Sequence, residues 1–183
     1  MPAVKEKSTV KDYKLLPEGA PYQLIEGELV MSPSPTTQHQ IISANLFKKI
    51  SKFIDEKKAG ILLYSPVDIY LDDENVFQPD LVFVSQQRRD IIKDDGLHGA
   101  PDVVIEILSP STAYYDMKKK FKLYEKFGVK EYWLVDPEMK NIQLFSLSEQ
   151  GKYLMSIDVT GQGAVASGVL KGFEIVLDDV FRT

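Results

Sequence analysis

Cysteine is missing from this chain of 183 residues, and histidine occurs only as His39 and His98. Without cysteine the protein has no disulfide framework and no thiolate ligand, and so few histidines argue against a zinc site built from nitrogen and sulfur. Any metal ion would therefore be bound by oxygen atoms of carboxylates and backbone carbonyls.

Long hydrophobic runs and an excess of positive charge are missing as well. No apolar run approaches the roughly 20 residues that span a bilayer, and residues 1–14 lack the basic flank and apolar core of a signal peptide. We therefore expect a cytoplasmic protein with no membrane partner. The formal net charge of -5 argues against a protein whose main role is to coat nucleic acid, because phosphate contacts come from lysine and arginine. A local patch of the surface can still be basic.

The hydrophobic fraction of 44% is enough for one domain with a substantial core. We expect a single domain over residues 1–183, with an N-terminal extension at 1–20, a core at about 22–147 and a C-terminal β meander at 148–183. Apolar runs bounded by glycine and proline alternate with long helical patterns. This order predicts an α/β (α+β) fold in which a mixed central sheet is flanked by helices and has further antiparallel strands at both ends.

The first half of the chain predicts a hairpin, a long helix and three strands. The hairpin covers residues 22–31 with Gly27 in its turn. The helix, at about 37–58, follows Ser-Pro-Ser-Pro at 32–35, and Thr36 or Thr37 is its expected N-cap. The strands are expected at 61–64, 67–71 and 76–84, and the last two should pair around an acidic turn.

The second half begins with a polar stretch at 85–101, predicted to be a loop with a short helix. An apolar strand follows at 102–108, then a helix capped by Ser111 or Thr112 and ended by Gly128, then a strand at 131–137. Strand, helix and strand at this spacing imply a crossover to a parallel neighbour. Residues 142–147, 153–159 and 172–177 predict a meander of strands.

Two carboxylates interrupt these buried strands, Asp80 in the third and Glu106 in the most apolar one. If the two strands are neighbours, the carboxylates meet at one end of the sheet, where they repel unless a divalent cation or a lysine neutralises them. Magnesium suits an all-oxygen site with few carboxylates. Lys120 on the following helix could complete the site or simply pair with Asp116 at i, i+4, and spacing alone favours neither reading.

Two further residues have both a structural and a functional interpretation. Glu28 lies beside the hairpin turn, where a solvated carboxylate is the more common finding. His39 lies in the first turn of the long helix, where a capping or structural histidine is more frequent than one in a catalytic site.

Several motifs together resemble the PD-(D/E)XK superfamily of restriction endonuclease-like folds, and more closely the Uma-type family of bacterial endonucleases. The resemblance covers residues 22–147 and rests on Leu-Ile-Glu-Gly-Glu-Leu-Val at 24–30, His-Gln at 39–40, Pro-Asp-Leu at 79–81, Glu-Ile-Leu-Ser-Pro-Ser-Thr at 106–112, Asp116 with Lys120 and Tyr124, and Gly-Val-Lys-Glu-Tyr-Trp at 128–133. It implies a restriction endonuclease-like core, DNA as a partner, and a homodimer, because a duplex cut needs two sites.

The resemblance also implies roles for individual residues. Asp80, Glu106 and the backbone carbonyl of Ile107 would ligate Mg²⁺, with Mn²⁺ as a substitute. The superfamily's lysine usually follows the acidic ligand by two residues, where this chain has Leu108, so the lysine role moves to Lys120. Glu28 and His39 match an additional acidic residue and a histidine near the site.

The sequence is consistent with three functions from different classes. The first is a metal-dependent endonuclease acting on DNA, to whose backbone five lysines would contribute contacts: Lys48, Lys49, Lys52, Lys118 and Lys119. The second is a binding or assembly protein that keeps the nuclease fold without turnover. The third is a metal-dependent hydrolase of a small phosphate ester, which suits the acidic charge but lacks a glycine-rich phosphate loop.

Overall fold

The computed structural model describes residues 7–183, so residues 1–6 of the predicted N-terminal extension lie outside the described part. Within it the helices are α1 (Val10–Tyr13), α2 (Thr37–Lys57), α3 (Phe121–Phe127) and α4 (Leu177–Phe181). The strands are β1 (Tyr22–Ile25), β2 (Glu28–Met31), β3 (Gly60–Tyr64), β4 (Ile69–Asp72), β5 (Asn75–Phe77), β6 (Leu81–Ser85), β7 (Ile92–Lys93), β8 (Gly96–His98), β9 (Val103–Ile107), β10 (Glu131–Asp136), β11 (Asn141–Leu147), β12 (Tyr153–Thr160), β13 (Ala164–Ala166) and β14 (Glu174–Val176).

The strands of residues 7–183 form a main sheet, a second sheet and a small third sheet. The main sheet has the order β12-β11-β10-β9-β6-β3, in which β9 and β10 run parallel and the other neighbours antiparallel. The second sheet has the order β2-β1-β5-β4-β8-β7, and the third pairs β13 with β14. The predicted mixed α+β fold and its parallel pair are therefore confirmed.

The main sheet is the middle of three layers. Side chains alternate along β6, so Leu81 and Phe83 pack against α2 and the C-terminal elements, whereas Val82 and Val84 pack against the second sheet and α3. On α2 the core face consists of Ile42, Leu46, Ile50 and Ile54. Because β9 is buried along its whole length, a charged side chain on this strand is almost entirely removed from bulk water.

The N-terminal hairpin and the long helix form as the sequence predicts. Glu26 and Gly27 connect β1 to β2 with φ of 54° and 79°, the positive values that a two-residue hairpin turn requires at both positions. Helix α2 begins after Thr36, whose hydroxyl accepts a hydrogen bond from the His39 backbone N–H at 3.2 Å. This cap fixes the helix start beside the strand ends of the main sheet.

The single strand predicted at 76–84 is wrong. The chain forms β5 and β6 in different sheets, and Gln78, Pro79 and Asp80 connect them. Pro79 cannot donate to a β ladder, so pairing stops there and the chain changes sheet. Asp80 consequently lies just before β6 rather than within it, although β4 and β5 do pair around the acidic turn as expected.

The predicted helix after residue 111 also differs from the structure. Residues Tyr115–Lys120 form a wide π-type turn that continues into α3, and Gly128 ends the helix with φ of 83° as expected. The hydroxyls of Ser111 and Thr112 bond to Ser109 Oγ, at 3.1 and 2.9 Å, rather than to the helix backbone. The stretch 85–101 contains a 3-10 helix at Gln86–Ile91 and the hairpin β7–β8, and α4 was not anticipated.

Glu131 at the start of β10 holds the C-terminal segment onto the main sheet. Its carboxylate is buried and accepts hydrogen bonds from the backbone N–H groups of Gly168 at 2.6 Å and Val169 at 3.1 Å. The Ser167 hydroxyl and the Trp133 indole donate to the other oxygen at 2.7 and 3.1 Å. Four donors balance the desolvation of this carboxylate, so its role is structural. Within residues 7–183 no helix has the length and hydropathy needed to cross a membrane.

Candidate active site

Asp80 and Glu106 are brought together by the antiparallel pairing of β6 with β9. Leu81 is opposite Ile105 in this ladder, so the residue before β6 lies beside the carboxyl end of β9. The backbone N–H of Ile107 donates to Asp80 Oδ2 at 2.7 Å. The two strands are thus direct neighbours, and Asp80, Glu106 and Ile107 lie at one edge of the main sheet.

Lys120 reaches the same place from the π-type turn. Its Nζ lies 2.8 Å from Glu106 Oε1 and 3.0 Å from Asp116 Oδ1. The Tyr124 hydroxyl donates to the same Glu106 oxygen at 3.1 Å, and the Tyr132 hydroxyl donates to the backbone carbonyl of Asp116 at 3.1 Å. Lys120 therefore forms the i, i+4 pair with Asp116 and also contacts Glu106, and its role in a reaction stays a prediction.

Glu106 and Lys120 are buried, with 3% and 2% of their surface exposed, and burial dominates their electrostatics. Burial raises the pKa of Glu106 to about 8; Lys120 opposes that rise, and the charges of Asp116 and Asp80 add to it. Burial lowers the pKa of Lys120, but Asp116 and Glu106 more than offset this and raise it overall. Lys120 therefore stays protonated, and the raised pKa of Glu106 means that a bound cation would compete with a proton for this carboxylate.

His39 contacts Asp80 from the first turn of α2. Its Nε2 lies 3.2 Å from Asp80 Oδ2, and its ring is mostly buried. Burial lowers the pKa of His39, but the hydrogen bond and charge of Asp80 and the backbone carbonyl of Ile107 outweigh it, so the pKa is raised. The Nδ1 atom has no hydrogen-bond partner among residues 7–183. His39 therefore contacts Asp80 at the candidate site and also bonds to Thr36, the N-cap of α2.

Glu28 is not brought together with these residues. It is exposed on β2, and its carboxylate lies 3.9 Å from Lys119 Nζ, which also pairs with Glu26 at 3.2 Å. These ion pairs connect the hairpin turn to the π-type turn that carries Lys120. Any effect of Glu28 on the site would therefore be indirect, through its ion pair with Lys119.

A pocket of about 510 Å³ opens over these groups. Its floor contains all the predicted site residues except Glu28, and one more carboxylate: His39, Asp80, Glu106, Ile107, Asp116 and Lys120. Its walls include residues 32–36 before α2 and residues 109–112 after β9, both rich in serine and proline. The volume is typical of a small-molecule or active-site cavity.

The oxygen atoms at the pocket floor suit a magnesium ion. Asp80 Oδ1 and Glu106 Oε2 accept no hydrogen bond from residues 7–183, so each carboxylate has an oxygen available for a ligand. In that part of the chain no three or more histidine, aspartate or glutamate side chains are grouped so that they could hold a metal ion. Magnesium does not need such a group, because it is usually held by one or two carboxylates and retains several waters.

Sequence reasoning missed Asp116, Tyr124 and the two serine-proline walls as parts of the site. The signal for Asp116 and Tyr124 was their spacing of four residues on either side of Lys120, which predicts one helix face but not its contact with Glu106. The first wall was interpreted as a segment that blocks a helix, and the second as a strand end, a helix cap and part of the motif at 106–112. Their composition gave no indication that residues 32–36 and 109–112 would line the same pocket.

A known structure shares this fold. The chain matches the crystal structure of a "putative nuclease belonging to DUF820" from Anabaena variabilis with a TM-score of 0.77 and 19% sequence identity, over 94% of this chain and 97% of that one. It is also 21% identical over 144 residues to the uncharacterized protein sll1609 of Synechocystis sp., covering 78% of this chain and 80% of the relative. The chain therefore shares its fold with that structure.

The family can be stated more closely. Residues 10–178 match the Uma2 family, described as "Putative restriction endonuclease". The match covers most of the chain, so this protein belongs to the Uma2 family.

Proposed function

We propose that this protein is a magnesium-dependent endonuclease that hydrolyses phosphodiester bonds in DNA and accepts manganese as a substitute ion. The observation that supports it is the convergence of Asp80, Glu106 and Lys120 in one pocket, although they lie far apart in the sequence. Bringing these charges into a partly buried site costs free energy that apolar packing would avoid, and such sites are commonly functional. Membership of the family described as restriction endonuclease supports the same reaction class.

In this proposal the side chains of Asp80 and Glu106 and the carbonyl of Ile107 hold the ion. When bound, magnesium lowers the pKa of a water molecule and offsets the negative charge that develops on the phosphate. The hydrogen bond from the Ile107 N–H fixes the Asp80 carboxylate, so the orientation of this ligand is set before any ion arrives.

Lys120 acts as a cation and hydrogen-bond donor, not as a base. Its raised pKa keeps it protonated, so it can stabilise charge on a phosphate oxygen or orient the attacking water. Asp116 and Tyr124 are positioning residues, because they hold Lys120 and Glu106 in place. His39, next to Asp80, is the better candidate for carrying a proton near neutral pH.

The remaining expectations about this enzyme stay predictions. They are contacts of surface lysines with the DNA backbone, a homodimer that places two pockets on a duplex, a cytoplasmic location, and a role for Glu28. A single domain over residues 1–183 is part of the same proposal.

A hydrolase of small phosphate esters is the second candidate, and the size of the pocket favours it. A cavity of about 510 Å³ accommodates a small ligand without a long basic groove. The non-catalytic alternative assigns the same ion pairs to structure alone. All three proposals differ in what the purified protein does to DNA and to a chromogenic phosphodiester.

The test is incubation of purified protein with supercoiled, linear and circular single-stranded DNA in the presence of Mg²⁺ or Mn²⁺. The endonuclease proposal predicts cutting of at least one DNA substrate, including a circular one, and loss of cutting when EDTA removes the ion. Hydrolysis of bis(4-nitrophenyl) phosphate with all DNA left intact would favour the small-ester hydrolase. No turnover of either substrate would contradict both enzymatic proposals.

A further inference from the structure

An exposed aromatic ring lies at the rim of the pocket. Tyr64 ends β3, lines the pocket and is 61% exposed. Its ring packs edge-on against Phe47 of α2, with centroids 5.1 Å apart and planes at 81°. The contact holds the ring in place from one side and leaves most of it uncovered. A fixed, exposed aromatic ring beside a candidate active site is a surface on which a flat ligand can stack.

The pocket walls carry neutral hydrogen-bonding groups rather than positive charge. Residues 32–36 and 109–112 contribute serine and threonine hydroxyls, and Ser65 adds another next to Tyr64. Such hydroxyls can donate to phosphate and sugar oxygens without an ionic contribution. Among the residues that line the pocket, the positive charges are those of Lys120 and, when protonated, His39. The pocket therefore suits a short stretch of nucleic acid rather than a long polyanion.

Three of the five lysines expected to contact a DNA duplex form ion pairs within the protein. Lys49 lies 2.6 Å from Asp179, Lys52 lies 3.9 Å from Glu56, and Lys119 pairs with Glu26 and Glu28. A duplex presents one phosphate charge per roughly 1.7 Å of its axis, and tight binding to it needs several cations that can neutralise phosphates. Ion pairs within the protein reduce what these three lysines can contribute to the binding of a duplex.

We propose that the pocket binds an unpaired nucleotide of single-stranded DNA, with its base stacked on Tyr64 and its phosphate near Asp80, Glu106 and Lys120. This inference rests on the proposed nuclease function and specifies its substrate class. Stacking of a base on an aromatic side chain strengthens binding by about tenfold or more and depends little on sequence. A base inside a duplex is already stacked and paired, so it reaches the ring only after leaving the helix.

The test measures binding of a fluorescently labelled oligothymidylate by anisotropy, with Ca²⁺ in place of Mg²⁺ to separate binding from cleavage. Tyr64→Ala is expected to raise the dissociation constant about tenfold, because the stacking surface is removed. Tyr64→Phe keeps the ring and should bind like the wild type. Met139→Ala is the matched control, since Met139 is also exposed but lies in the turn between β10 and β11. A blunt duplex of equal length should bind more weakly than the single strand.

Cleavage with Mg²⁺ separates this inference from the function on which it rests. Faster cutting of single-stranded DNA than of blunt duplex, with the Tyr64→Ala defect confined to the single strand, supports the inference. Equal cutting of both substrates, or unchanged binding by Tyr64→Ala, overturns it and leaves the nuclease function standing. Tyr64-dependent binding of the single strand without any cutting supports the binding site and contradicts the nuclease.

Discussion

Replacing Asp80 by asparagine is expected to lower the rate of DNA cleavage by about 10³-fold, the equivalent of several kcal/mol of lost transition-state stabilisation. The amide keeps the shape of the side chain and can still accept the hydrogen bond from the Ile107 N–H. It removes the negative charge that the ion needs as a ligand. The measurement is the initial rate on the best DNA substrate at saturating Mg²⁺.

Asp73→Asn is the matched control for this change. Asp73 is an exposed carboxylate in the turn between β4 and β5, away from the pocket, and its replacement should leave the rate unchanged. Thermal unfolding of both variants checks that each is folded. Wild-type cleavage by Asp80→Asn would show that the ion, if it takes part in the reaction, is held elsewhere.

Replacing Lys120 by methionine is expected to destabilise the protein by about 3–5 kcal/mol at pH values above 8, because it leaves buried carboxylates without their cation. Glu106 and Asp116 both lie within 3.0 Å of the Lys120 ammonium, and both are buried. Because Lys120 lowers the pKa of Glu106, its removal raises that pKa further, and keeping Glu106 protonated in the folded protein costs more free energy as the pH rises. Denaturant unfolding of the metal-free protein measures the loss.

A second variant separates charge from packing at this position. Adding Asp116→Asn to Lys120→Met removes one of the two carboxylates that have lost their cation and should recover part of the lost stability. Lys118→Met, on the same π-type turn but exposed, should have almost no effect. Two results would contradict this account of the Lys120 ion pairs. Either Lys120→Met has the same free energy of unfolding as the wild type, or adding Asp116→Asn lowers the stability of Lys120→Met further.

The elements that the sequence predicts best are those with a strong local signal. Gly27 supplies one of the two positive φ angles of the hairpin turn, and Thr36 and Gly128 mark helix ends by capping. The parallel pair β9–β10 follows from the strand, helix, strand order. The approach of Asp80 to Glu106 depends on β6 being next to β9, which the apolar runs suggested but could not prove.

The parts that the sequence does not predict depend on contacts between distant segments. Pro79 should have ended the predicted strand, since proline interrupts a β ladder, but which sheet each half joins is decided by packing. The wide turn at Tyr115–Lys120 has no simple sequence signature, and it determines where Asp116 and Lys120 point. The exposed position of Glu28 and the formation of the pocket walls by two distant segments likewise depend on tertiary structure.

The central claim is that Asp80 and Glu106 hold a divalent cation at the pocket floor, and calorimetric titration with Mn²⁺ tests it most directly. The account predicts that one Mn²⁺ binds per wild-type chain and that Asp80→Asn or Glu106→Gln abolishes this binding, whereas Asp73→Asn retains it. Binding of Mn²⁺ to the Asp80→Asn and Glu106→Gln proteins with wild-type affinity, or no binding to the wild-type protein, would contradict the account.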